Sequence, residues 1–186
     1  MRCAWNEACR MEEMDLKEMF LAKLEREEAI TRKAIERVPE GRNDWKPHEK
    51  SMELGYLAAL VATMAGWIAF MVERDELDLT DPGNAGFRPQ VMETQAELQA
   101  ALEAAFARAR KALEGTTEEH LMKPWRFKMR DQVASEEPRH IMLSDAVFSH
   151  LAHHRGQLTV YLRLNEAKVP AMYGPSADEF HGGATR

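Results

Sequence analysis

Seven histidines occur in the 186-residue chain, and three of them, His150, His153 and His154, fall within five residues. On a helix His150 and His154 are one turn apart and leave the same face, whereas His153 turns toward the neighbouring face. Two imidazoles in this relation can reach one cation from consecutive turns. The same spacing also suits two core imidazoles hydrogen-bonded to each other, to a carboxylate or to water. The surrounding pattern Leu143, Val147, Leu151, Leu158 and Tyr161 is helical, so the pair belongs to an apolar stripe rather than to a solvated face.

Four long amphipathic segments can position this stripe. The first runs from about Leu16 to Val38, begins with Asp15 and Glu18 in capping relation, and ends at Pro39 and Gly41. Glu27 and Glu28 interrupt its apolar face, either as an inward carboxylate or, the favoured reading, as a solvated face or helix-surface charge pair. Asn43 to Pro47 is a loop, with Trp45 packing back on the core. The second segment starts from an N-cap at Ser51 and reaches Glu73; the stretch Leu57 to Val72 reads as a buried core helix, too short for a membrane span. Asp81 to Gly86 breaks the chain. Thr94 to Glu97 is a second capping box and opens a helix to Leu113, stopped by Gly115. Between Thr116 and Arg139 helical periodicity fails, and short extended pieces are expected. The fourth helix, Arg139 to Asn165, carries the histidines. The fold class is therefore all-α: a four-helix bundle with a long irregular connection between its third and fourth helices. Its boundaries are a flexible extension over 1–14, a bundle domain over 15–175 and a flexible tail over 176–186.

Composition narrows the function. Hydrophobic residues make up 45% and charged residues 30% of a chain with net charge -6. This suits an ordinary globular domain and disfavours nucleic-acid binding. The first ten residues lack the apolar core of a signal peptide, and the cysteines, Cys3 and Cys9, match no zinc spacing, so a cytoplasmic protein with incidental thiols is expected. No glycine-rich phosphate loop and no Gly-x-Ser-x-Gly elbow occurs. The twelve methionines read as core filler.

Several stretches carry a resemblance. They are Trp45 to Met52 with Leu54-Gly55 and Leu57-Ala58, His150 to Leu158, Tyr161 to Arg163, and Val169-Pro170 with Tyr173 to Glu179. Together they resemble the DinB family of four-helix bundles over nearly all of the chain from Leu16 onward. The resemblance implies three histidine ligands for a divalent metal (Zn, Ni or Fe), two of them at His150 and His154. The third would come from the second helix, seven residues before Trp67, where this chain has Leu60. Leucine offers no donor, so the implied site is degenerate, with metal weak or absent. Met64, His48, His120, Glu27 and Glu28 are the candidate substitutes.

The resemblance further implies a homodimer and, in metal-bearing relatives, thiol transferase or hydrolase activity. Without metal the expectation is a small-molecule pocket or a stress-related protein, with no nucleic acid or membrane partner. Gly156 is expected to let a helix come close, Arg155 and Gln157 to hold structure by hydrogen bonds, and Tyr161 and Arg163 to anchor the C-terminal segment.

Overall fold

The computed structural model describes residues 15–130 and 132–179. The 1–14 extension and the tail beyond 179 lie outside the described residues.

Four long helical stretches supply the core. Helix α1 (Leu16–Ile35) starts where Asp15 accepts a hydrogen bond from the Glu18 amide at 2.7 Å. Helix α2 (Leu54–Thr63) passes through a 3-10 turn (Met64–Gly66) into α3 (Trp67–Glu73). It begins after Glu53, not at Ser51, because the chain before it is folded back: the amides of Leu54 and Gly55 donate to the carbonyls of Trp45 and Asn43. Gly55 is required at this contact, since a Cβ there would lie 2.8 Å from the Asn43 side chain. Helix α4 (Gln95–Gly115) carries the complete capping box of Thr94 and Glu97. The last stretch comprises α6 (Arg139–Met142), a π-helical segment (Leu143–Ser149) and α7 (His150–Leu164). Helix α1 touches α2, α4 and α7, and α2 also touches α4 and α7.

The Leu54–Glu73 stretch is long and apolar enough to cross a membrane, but 72% of its apolar window is buried inside the fold. It is the expected core helix. Phe20, Leu24, Leu57, Met64, Ile68, Phe106, Leu151 and Leu158 meet in one cluster, each at most 2% exposed.

The all-α expectation needs correction, because the molecule is mostly helical but also holds a small sheet. After the short helix α5 (Glu118–Met122), strand β2 (Pro124–Met129) pairs antiparallel with β3 (Gln132–Pro138). It also pairs in parallel with β1 (Glu76–Asp78), which follows α3. Strand β3, Gln-Val-Ala-Ser-Glu-Glu-Pro, has little intrinsic strand preference. Its pairing places Glu136 opposite Arg126, while Glu76 on β1 binds Arg126 and Lys128 at 3.3 and 2.9 Å. Cross-strand charge pairing thus supports residues that local propensity does not.

The sheet is stitched to the helices by Arg139, which is 1% exposed. Its guanidinium donates to the carbonyls of Met71, Arg74 and Pro124 and pairs with Asp75. It thereby satisfies carbonyls at the C-terminal end of α3 that lack intrahelical partners.

Candidate functional site

The two predicted histidines are brought together by α7. Their Nε2 atoms lie 2.7 Å apart, and His154 Nδ1 lies 2.7 Å from Gln157 Oε1. The amide oxygen can only accept, so His154 donates its Nδ1–H to Gln157. Burial holds both imidazoles below the ordinary histidine value. For His150 a hydrogen bond to the Ala146 backbone opposes this, and the neighbouring His153 adds to it. For His154 the Gln157 bond opposes the effect of burial. His153 is exposed, its ring edge-on to His154.

The Nε2 separation is that of a hydrogen bond. Two nitrogens sharing a tetrahedral zinc ion at ~2.05 Å each would stand about 3.3 Å apart. Among the described residues no group of three or more His, Cys, Asp or Glu side chains is gathered where it could hold a metal ion. Leu60, on α2, is buried at 6% exposure. The substitutes are engaged elsewhere. His48 Nδ1 accepts from the Lys50 amide, and His120 Nε2 donates to the Val72 carbonyl. Glu28 pairs with Arg32 and Arg110, and Met64 lies in the core. The donors present do not fit a three-ligand centre.

Glu27 corrects the expectation of a solvated side chain, for it points inward and is 6% exposed. Its carboxylate binds Arg155 Nη2 at 2.6 Å, and Arg155 itself is 1% exposed. Arg155 also donates to the Thr31 hydroxyl at 2.6 Å and to the Tyr173 hydroxyl, which in turn donates to Glu27. The Arg155 guanidinium lies over the Tyr173 ring as well. The structural role expected of Arg155 is realised here inside the chain.

Arg163 anchors the C-terminal segment through Asp178, at 2.6 Å. Tyr161 does not: its hydroxyl donates to the Met52 carbonyl and its ring meets Trp45 edge-on, fixing the loop between α1 and α2. Among the described residues nothing approaches Gly156 within 4 Å of where its Cβ would stand, so no described helix uses the gap.

His150 also borders a feature that helical periodicity did not reveal. An almost wholly apolar cleft of about 250 Å³ lies between the sheet and α3, lined by Trp67, Met71, Phe87, Trp125, Phe127 and His150 among others. Trp67 stacks on Phe87 with centroids 4.6 Å apart, and its ring lies 5.7 Å from His150. The signal that finds this wall is a period of two: Trp125 and Phe127 alternate along β2 and share one face. Leu60 is not part of the lining, so the cleft is built by the sheet excursion and not by the substitution on α2.

The family model described as the DinB family matches residues 11–184. A DinB-like protein of Bacillus cereus has a similar crystal structure, with TM-score 0.63 and 22% sequence identity over 83% of this chain and 95% of that one. A DinB-like protein of Bacillus subtilis is similar at TM-score 0.60 and 19% identity, over 87% of this chain and 98% of that one. These likenesses concern the fold. No curated protein matches the chain.

Proposed function

Because the chain belongs to the DinB family and its two α7 imidazoles lie against each other, we propose that it is a metal-independent member that binds a small apolar molecule. The observation that carries this reading is the apolar cleft ending on His150. A wall of two tryptophans, two phenylalanines and methionines with almost no polar surface selects an uncharged one- or two-ring aromatic or aliphatic ligand. The His150–His154–Gln157 chain then forms the polar floor of the cleft. A four-helix bundle, a homodimer and a cytoplasmic location belong to the same proposal, the dimer being tested by light scattering of the eluting protein.

The test uses indole and toluene as probes in amide and aromatic NMR titrations. Saturable shifts at Trp125, Phe127 and Ala146, lost in an Ala146→Phe variant that fills the cleft, are expected. Absence of saturable shifts at these residues refutes the reading.

A second reading, a divalent-metal-dependent thiol transferase or hydrolase using Zn, Ni or Fe, is favoured by one feature. The two Nε2 atoms face each other. It requires stoichiometric metal in untagged protein that disappears in a His154→Ala variant. The placement of residue 60 has its own test, since Leu60→His supplies a third imidazole and raises zinc affinity if that residue faces the pair.

A further inference from the structure

A hollow of about 520 Å³ lies elsewhere, between α3 and α4, and involves neither the histidine pair nor the apolar cleft. It adjoins a second hollow of about 300 Å³, and the two share Glu73 and Arg108. Along α4, Arg108, Lys111 and Gly115 follow helical spacing, so they form one wall. Ala112 and Gly115 are small, and a Cβ on Gly115 would meet nothing within 4 Å, which keeps the trough open. Glu73, in the last turn of α3, belongs to the opposite wall.

The charges of this trough are exposed and, among the described residues, unpaired. Arg108 Nη2 donates to the Gly66 carbonyl at 2.9 Å, which anchors the guanidinium and leaves its remaining N–H groups available. Neither Arg108, Lys111 nor Glu73 has an ion-pair partner among the described residues. The neighbouring Arg74 is already bound to Asn84 and lies over Phe70. A carboxylate at a helix C-terminus is electrostatically disfavoured, so Glu73 gains from a cation more than an ordinary surface glutamate does. Thr116, 7% exposed, lines the same hollow, and its buried hydroxyl lacks a hydrogen-bond partner. Two cations on one wall and an anion on the other suit a ligand with both signs of charge.

We propose that this trough is a binding site for a small zwitterion of the amino-acid class, its carboxylate on Arg108 and Lys111 and its ammonium on Glu73. A simple anion would meet Glu73 unfavourably, and a simple cation would meet Arg108.

The experiment is an amide NMR titration of the full chain at low salt with glycine, 4-aminobutyrate and 6-aminohexanoate, and with acetate and methylammonium as single-charge controls. The expected result is saturable shifts at Glu73, Lys111, Thr116 and Thr117 for at least one amino acid, with one chain length preferred. Arg108→Gln and Glu73→Gln should each weaken that binding by about tenfold, with Lys111→Gln as a second cation variant that leaves the Gly66 anchor intact. No saturable shift with any amino acid overturns the proposal. So does acetate binding as tightly as the best zwitterion, or a Glu73→Gln variant that binds it unchanged.

Discussion

Replacing Glu27 by alanine tests the buried network most directly. The carboxylate is 6% exposed, touches Arg155 Nη2 at 2.6 Å and receives the Tyr173 hydroxyl. In the variant, Arg155 remains at its buried position, with the Thr31 and Tyr173 hydroxyls and the Glu27 main-chain oxygen as acceptors and no countercharge. Removing one member of a buried pair typically costs about 3–5 kcal/mol, because the other charge stays desolvated. For a domain of this size each kcal/mol corresponds to about 2–4 °C, so the melting temperature should fall by about 6–20 °C. Urea unfolding followed by far-ultraviolet circular dichroism measures the loss. The paired variant Glu27→Leu/Arg155→Met should lose clearly less than Glu27→Ala, since no charge is stranded. A loss below about 1 kcal/mol for Glu27→Ala, the range of solvated pairs, would refute the argument that this ion pair is shielded from water.

Other outcomes follow from the same structure. Thr94→Ala removes one half of the capping box that opens α4 and should cost about 1 kcal/mol in urea unfolding. Gly55→Ala drives a methyl group into the Asn43 side chain, which is held by the Met92 carbonyl and Glu93; a loss of about 1–3 kcal/mol is expected, in the range of overpacking. Burial lowers the affinity of His150 and His154 for protons. The unfolded chain therefore binds protons first, at about pH 6.5, so their contribution is complete above that pH and declines as pH falls through it toward the folded values. Urea midpoints should drop more steeply between pH 7 and pH 5 in the natural chain than in a His150→Leu/His154→Leu variant.

The helices could be read from sequence because their signals are local. Asp15 and Thr94 cap α1 and α4 as their spacing requires, and the histidines occupy consecutive turns of α7 because periodicity alone fixes that relation. Features decided by distant partners were not legible. Glu27 interrupts an apolar stripe, which locally suggests a wet face; its inward turn depends on Arg155, 128 residues away. The start of α2 is set by the fold-back of Asn43 and Trp45, not by a side-chain cap at Ser51. Strand β3 gains its conformation from β2, and Arg139 its burial from carbonyls at the end of α3. The cleft beside His150 escaped detection because its lining is drawn from the sheet, α3 and the last helical stretch together, with only Trp125 and Phe127 leaving a pattern in one short segment.

The wide turn at Leu143–Ser149 governs how the final helical stretch meets its surroundings. Arg139, Leu143, Val147 and Leu151 are all buried and stand four residues apart. In an ordinary helix each step of four overshoots a full turn by about 40°, which would wind such a ladder about 120° around the axis in three steps. Hydrogen bonds reaching five residues back loosen the winding and return the ladder to a single line. The arginine clamp at one end and the paired imidazoles at the other are thereby aimed separately. A chain one residue shorter in this segment could wind regularly, but only by swinging one of the two out of line with its partners.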